Sequence, residues 1–360
     1  MASSTTTVVV DLPNPREAAR SGGYKLHPLF SSPAADVLLY STDAVMYRVH
    51  SYTLRMASGF FRDMFTLPQP SLPAGNEDVC VPGHRESRIL LPTYENSNIL
   101  TLFLMLITGT PVHSPLHEWG VVTAASTSSS SSCYLSNTDS TTSHPCFDVI
   151  DGILRLAENW DAPGPLSYIR FGIQSAELVR LDPLRLYAIA SHFGWENERS
   201  WAAQHTMKLD ILQASDVGTL ETLERMSSKD LMSLLNLRHR RREEFRELLD
   251  DPDSFSVGNS EETPLCTQCG ETPINNRTWK ALKEAMVVEM DKRPLGDSIL
   301  GFDVDGIGEE IFEGGILTWP EAEACFDAAC MKEGCGGLYY DKCATLKQLQ
   351  ACVDDLPWDL

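Results

Sequence analysis

The sequence contains no stretch that could cross a bilayer as a helix. Its longest apolar run, residues 99–107 with Thr101 inside it, is about half of the roughly 18 residues a span requires. The first ten residues are rich in Ser and Thr, with three valines, no basic start and no long apolar core of a secretory signal. Ala2 follows Met1 where myristoylation needs glycine, and no prenylation cysteine stands at the C-terminus. These absences lead to the expectation of an intracellular protein, in the cytoplasm, the nucleus or both, without membrane contact. In that reducing setting the ten cysteines are more often free, buried or metal-bound than disulfide-paired.

Positive charge is also scarce. Lys and Arg total 29 against 50 Asp and Glu, a formal net charge of −21. Residues 296–360 alone hold fourteen acids and three bases, a net of −11. Such a surface repels phosphate backbones, which argues against direct nucleic-acid binding. Arg238, Arg240, Arg241 and Arg242 form one basic run that could be an import signal or an anion patch, but Glu243 and Glu244 follow at once and neutralise it, so a solvated helix face is the favoured reading.

Catalytic signatures are missing as well. No glycine-rich phosphate loop ends in Lys-Ser or Lys-Thr, and Gly306 and Gly308 lack the third glycine of a dinucleotide site. Asp303-Val304-Asp305 opens like a calcium loop, yet Gly314 stands at its twelfth position where a bidentate Glu is needed. There is no Gly-x-Ser-x-Gly elbow, and His117-Glu118 has no second histidine. A non-enzymatic protein is expected.

What is present is enough apolar material, 42% of 360 residues, for two or three domains. Residues 1–23 read as a flexible polar arm. Residues 36–41 read as a buried strand, and a turn at Thr42-Asp43 leads to Val45, Tyr47 and Val49 alternating on one face, together a hairpin. His50, Leu54 and Ser58 then fall at helical spacing, and a short helix carries Phe60, Phe61, Met64 and Phe65 before Pro68. A strand at 89–91 and an apolar helix at 96–107, closed by Gly109, follow. Residues 113–145, with the serine run 128–132, read as a disordered insertion. An apolar stripe from Val149 to Ala157 marks a helix that Pro163-Gly164-Pro165 breaks. More helices are expected at 175–179, 183–193, 196–212, 229–249 (capped by Ser227 with Asp230) and 276–290.

The stretch ADVLLYSTDAVMYRVHSYTLRMASGFFRDMF, residues 35–65, resembles the BTB/POZ family in the order strand, hairpin, His-x3-Leu-x3-Ser helix, aromatic helix. Residues 182–211, DPLRLYAIASHFGWENERSWAAQHTMKLDI, are similar to fungal members of that family with helical C-terminal extensions. The resemblance implies an α+β fold: a BTB/POZ-type domain with a small mixed sheet and helices, then a mainly α-helical C-terminal region. The expected divisions are an arm at 1–23, a BTB/POZ-like domain at 24–180 containing the insertion 113–145, a helical extension at 181–250, an acidic linker at 251–262 and a cysteine-containing acidic domain at 263–360. His50 is expected as a packed, hydrogen-bonded core histidine and the aromatic helix as core. Many family members place a basic residue after this histidine to meet the strand aspartate; here Ser51 follows, which leaves Asp36 without that partner.

Cys266-Thr267-Gln268-Cys269-Gly270 is a thiolate knuckle, whose spacing turns both sulfurs toward one tetrahedral ion at about 2.3 Å. Downstream lie Cys325, Cys330, Cys335 and Cys343, with Gly334, Gly336 and Gly337 supplying tight turns. Cys330 and Cys335 make the best second pair, and the four give a candidate structural zinc site, against ordinary buried thiols.

The leading functional expectation is a protein-interaction module, a scaffold or adaptor acting by homo- or hetero-oligomerisation. Its partners would be a second copy of itself or, as with other BTB proteins, a cullin-type ubiquitin ligase. The competing classes are a transcriptional regulator acting through partners, and a zinc-dependent enzyme, which an all-cysteine site with no open position for water disfavours.

Overall fold

The computed structural model describes residues 24–67, 89–120, 144–253, 255–259, 264–301 and 315–360. The expected arm at 1–23, the serine run and the aspartates at 303–305 lie outside them. The chain divides into two compact units, one ending at Ile173 and the other comprising Gln174–Leu360.

The first unit is α+β. β2 (Val37–Tyr40) and β3 (Val45–Val49) pair antiparallel, with Val37 opposite Val49. Ala44 closes the turn at φ +62°, a left-handed conformation that costs a non-glycine residue energy. β1 (Lys25–Leu26) adds parallel to β3 and β4 (Ile89–Pro92) parallel to β2, giving a four-stranded mixed sheet in the order β1-β3-β2-β4. All four residues of β2 are buried, because it is central and covered on both faces.

β3 runs directly into α1 (Ser51–Ala57), then α2 (Gly59–Met64). Ser58 separates them in extended geometry: its hydroxyl accepts the Phe61 N–H at 3.2 Å, capping α2, and donates to the Trp160 carbonyl. In contact with α1, α3 (Ser97–Thr108) starts at Asn96, whose side chain accepts the Ile99 N–H at 3.0 Å, and stops at Gly109 with φ 69°. α3 packs on α4 (Pro145–Asn159), whose apolar stripe buries Val149, Ile150, Ile153, Leu154, Leu156 and Ala157. The Pro163-Gly164-Pro165 triplet starts a helix, α5 (Pro163–Ile173), instead of merely ending one, since proline at a first turn sacrifices no hydrogen bond. The near flank of the expected insertion is ordered too: Leu116 and Trp119 are buried, and the Trp119 indole donates to the Ser114 carbonyl at 3.1 Å.

The second unit is helical. α6 (Ala176–Leu181) and α7 (Pro183–His192) pack together, so the unit starts before residue 181. α8 (Glu196–Thr206) stops short of the expected 212, because the Thr206 and Leu209 carbonyls are taken by Arg238 instead of a further helical turn. α9 (Val217–Arg225) leads to α10 (Ser228–Asp250), capped as expected by Ser227 through the Asp230 N–H at 3.1 Å.

Residues 251–262 read from sequence as a linker, yet their described part is anchored. Phe255 is buried and stacks on Trp279 at 5.1 Å, and Asn259 in α11 (Ser256–Asn259) accepts the Trp279 indole N–H at 3.2 Å. Phe245 and Leu249 of α10 share one core with Trp279, Leu282 and Met286 of α12 (Arg277–Lys292) and Leu349 and Val353 of α15 (Lys342–Asp354). Two short helices, α13 (Asp297–Leu300) and α14 (Pro320–Phe326), complete it. The helical extension and the cysteine-bearing segment therefore close around common apolar surface.

The basic run of α10 lies largely inside this unit. Arg238 and Arg241 are buried, not solvated. Arg241 donates to the carbonyls of Pro294 and Pro357, both at 2.8 Å, and its guanidinium sits 3.6 Å over the Trp358 ring. Burial pushes its pKa down to about 9, with Glu244 opposing, which still leaves it charged at neutral pH.

Candidate functional site

Four sulfurs meet in the second unit. The Sγ atoms of Cys266, Cys269, Cys330 and Cys335 all lie within 4.8 Å of one another, although the two pairs are some 60 residues apart in sequence. Two hairpin-like turns of the same construction deliver them. In the first, the Cys266 N–H donates to the Thr272 carbonyl at 2.8 Å, the Gly270 N–H donates to the Cys266 carbonyl at 2.7 Å, and Leu265 bridges Pro273. In the second, the Cys330 N–H donates to the Gly337 carbonyl at 2.8 Å and Ala329 bridges Leu338. Gly270 turns at φ +67°, open to glycine without strain. Gly337 is favoured for another reason: a Cβ there would lie 2.9 Å from Gln268 Cβ and 3.3 Å from Cys266 Sγ, so the first turn would have to shift.

The spacing fits a tetrahedral ion. Bonds of about 2.3 Å to four thiolates imply sulfur–sulfur edges of about 3.8 Å. Cys266 and Cys335 are 3.8 Å apart, and Cys269 and Cys330 are 3.7 Å apart. The turns also prepare the sulfurs for deprotonation. The Glu271 N–H, with the Thr272 hydroxyl and N–H, holds Cys269 down to about 6, and the Thr272 side chain and Lys332 N–H lower Cys330. Cys335 shows the cost of crowding: the Gly337 N–H pulls it down, but desolvation and the three neighbouring sulfurs push it up to about 11. A divalent cation relieves that repulsion.

The remaining described thiols stay apart from this cluster. Cys325 and Cys352 are core residues whose burial raises each to about 11, and Cys343 is exposed on α15. Tyr340, two residues past the second turn's return, links the cluster to the core, stacking on Trp279 and donating from its hydroxyl to Asn276 Oδ1 at 3.0 Å.

In the first unit the signature residues divide. Leu54 and Ser58 are buried, but His50 is exposed and makes no capping bond, so the expected core histidine is not one. Asp36 is partnered: it accepts from the Ser51 N–H at 2.7 Å and the Ser51 hydroxyl at 2.5 Å. Desolvation works against its charge, yet the two Ser51 bonds, with His50 nearby, outweigh that and hold it below 3.8. The stabilisation is therefore present above about 3.8 and is lost as pH falls through the depressed folded value. Ser51→Ala is predicted to bring the Asp36 carboxyl part of the way back toward 3.8 in an NMR titration, the backbone bond remaining; an unchanged midpoint would show that the Ser51 hydroxyl is not a cause.

The aromatic helix is only partly core. Phe61 is 1% exposed, whereas Phe60 is 45% exposed. Phe60 borders a groove of about 480 Å³ between α2, β4 and α4, with Leu91, Tyr94, Leu156 and Trp160 among its walls. At its edge Arg155 donates through Nη2 to both oxygens of the buried Glu95, each at 2.9 Å, while its own side chain is 63% exposed. This groove joins residues from four separate stretches, around 39, 60, 91–95 and 155–160, so no local pattern in the sequence announces it.

No protein-family model, curated protein or solved structure matches the chain. Among the described residues no helix is long and apolar enough to cross a membrane.

Proposed function

We propose that the chain is a BTB/POZ-type protein-interaction module, a scaffold or adaptor whose second unit is held by a structural zinc ion. The interaction reading rests on the 36–65 resemblance together with the hairpin and paired short helices that these residues form, within a small mixed sheet that β1 and β4 complete. The groove beside Phe60 gives it a face. Its apolar walls suit an apolar side chain of a partner, with the Arg155–Glu95 pair as a polar edge.

The test uses the purified full-length chain. Phe60→Asp is predicted to weaken partner binding by about 2 kcal/mol, some 30-fold, as for a central interface aromatic. Sedimentation equilibrium reads self-association, and proximity labelling in the native cell, repeated with the variant, reads other partners. A chain that is monomeric at every concentration, with a labelled set indifferent to Phe60→Asp, would end this reading. Direct binding of a purified cullin would make the chain a ubiquitin-ligase adaptor.

The zinc reading rests on the match between the 3.7–3.8 Å sulfur pairs and a tetrathiolate edge. Four thiolates complete the ion's coordination, which favours a structural role over catalysis. Metal analysis of the reduced chain is expected to give one zinc per molecule; clearly less than one sinks it.

A further inference from the structure

We propose that the tetrathiolate centre is also a redox latch, in which oxidation replaces the ion by two disulfides running between the same two turns. This rests on the zinc reading above and adds a second state to the site.

The arrangement of exposure carries the inference. Each close sulfur pair spans the two turns, Cys266 with Cys335 and Cys269 with Cys330. Each pair also joins a buried cysteine, Cys266 or Cys330, to a half-buried one, Cys335 or Cys269. One residue of each pair is therefore partly open to solvent, while the sulfur of the buried one waits within about 4 Å of its partner sulfur. Closing from 3.7–3.8 Å to a bond of about 2.05 Å asks each sulfur to move less than about 1 Å. Pairing within a turn would leave the segments unconnected, whereas cross-pairing keeps them tied after the metal has gone.

The oxidant is hydrogen peroxide. The accessible thiolate attacks one peroxide oxygen, the O–O bond breaks, and a sulfenic acid and hydroxide form. The buried partner thiolate then attacks that sulfur, forming the S–S bond and expelling the second hydroxide. Each disulfide thus consumes one peroxide and two protons and yields two waters. For the whole centre, two peroxides and four protons give two disulfides, four waters and one free Zn²⁺. A dithiol reductant with zinc reverses the change.

The experiment takes the full-length, zinc-assayed chain and titrates it with hydrogen peroxide beside a chromophoric zinc chelator. Non-reducing peptide mapping follows. The expected result is one zinc released per two peroxides, with Cys266–Cys335 and Cys269–Cys330 as the dominant links and zinc uptake restored by dithiothreitol. Zinc that is present but retained, links within each turn, or sulfinic acid as the first product overturns the latch and leaves the zinc reading standing. A reduced chain without zinc before any peroxide is added overturns both.

Discussion

Removing the metal from the reduced chain with a strong chelator is expected to lower the thermal midpoint of the second unit by roughly 10–20 °C. Structural zinc contributes about 10–16 kcal/mol in zinc-finger peptides, where nothing else holds the fold. Here a separate apolar core of Trp279, Leu282, Met286, Phe245 and their neighbours persists without it, so a smaller share, about 5 kcal/mol, is lost. At about 2–4 °C per kcal/mol for a unit of this size, that gives the stated shift. The loss is local first: Tyr340 and Ile274 lead from the two turns into the core, and the stack of Tyr340 on Trp279 should loosen before α12 melts. Calorimetry of holo and chelated protein measures the midpoint, and Cys269→Ser should reproduce the chelated value. A midpoint indifferent to chelator, in protein shown to contain zinc, would contradict a structural role for the ion.

Arg241→Leu should cost about 3 kcal/mol or more in a urea titration. The guanidinium is fully buried and serves carbonyls from two segments, Pro294 on one side and Leu356 and Pro357 on the other. Leucine leaves those carbonyls unsatisfied at about 1–3 kcal/mol each and removes the Trp358 contact. Arg241→Lys keeps the charge but not the fork, since one ammonium cannot span both segments, and should fall between. The neighbouring Arg240 supplies the contrast. It pairs with Asp359 at the surface, so Arg240→Leu should change stability by less than about 1 kcal/mol. Equal losses at 240 and 241 would refute the assignment.

That contrast also marks where the sequence was legible. A run of arginines followed by glutamates reads as solvated, but Leu234, Arg238, Arg241, Phe245 and Leu249 recur at four, three, four and four residues along one helix face. The spacing placed two of the arginines inside; only their residue type argued otherwise. The hairpin, the Ser227 cap and the Gly109 stop were readable because each is a local rule about a few consecutive residues. The four cysteines were readable as a set because a soft tetrahedral ion constrains residue type and spacing. His50 misled, since helical spacing with Leu54 does not say which side of a strand-to-helix junction faces water. The partner of Asp36 went unseen because a serine serves a carboxylate by hydrogen bonding where a charge was sought. The groove beside Phe60 needed α2, β4 and α4 assembled before it existed.

The long separation of the two turns has a consequence for the order of events during synthesis. Cys269 and Cys330 are 61 positions apart. At roughly 5–20 residues per second, the ribosome exposes the first pair of thiols for about 3–12 s before the second pair emerges. For those seconds the nascent chain holds only the first of the two cysteine turns, while α12, whose own backbone hydrogen bonds are local, has time to form between the halves. Closing the cluster is then a late, long-range step, and on the proposed zinc reading the pace of biogenesis would depend on metal supply at that moment.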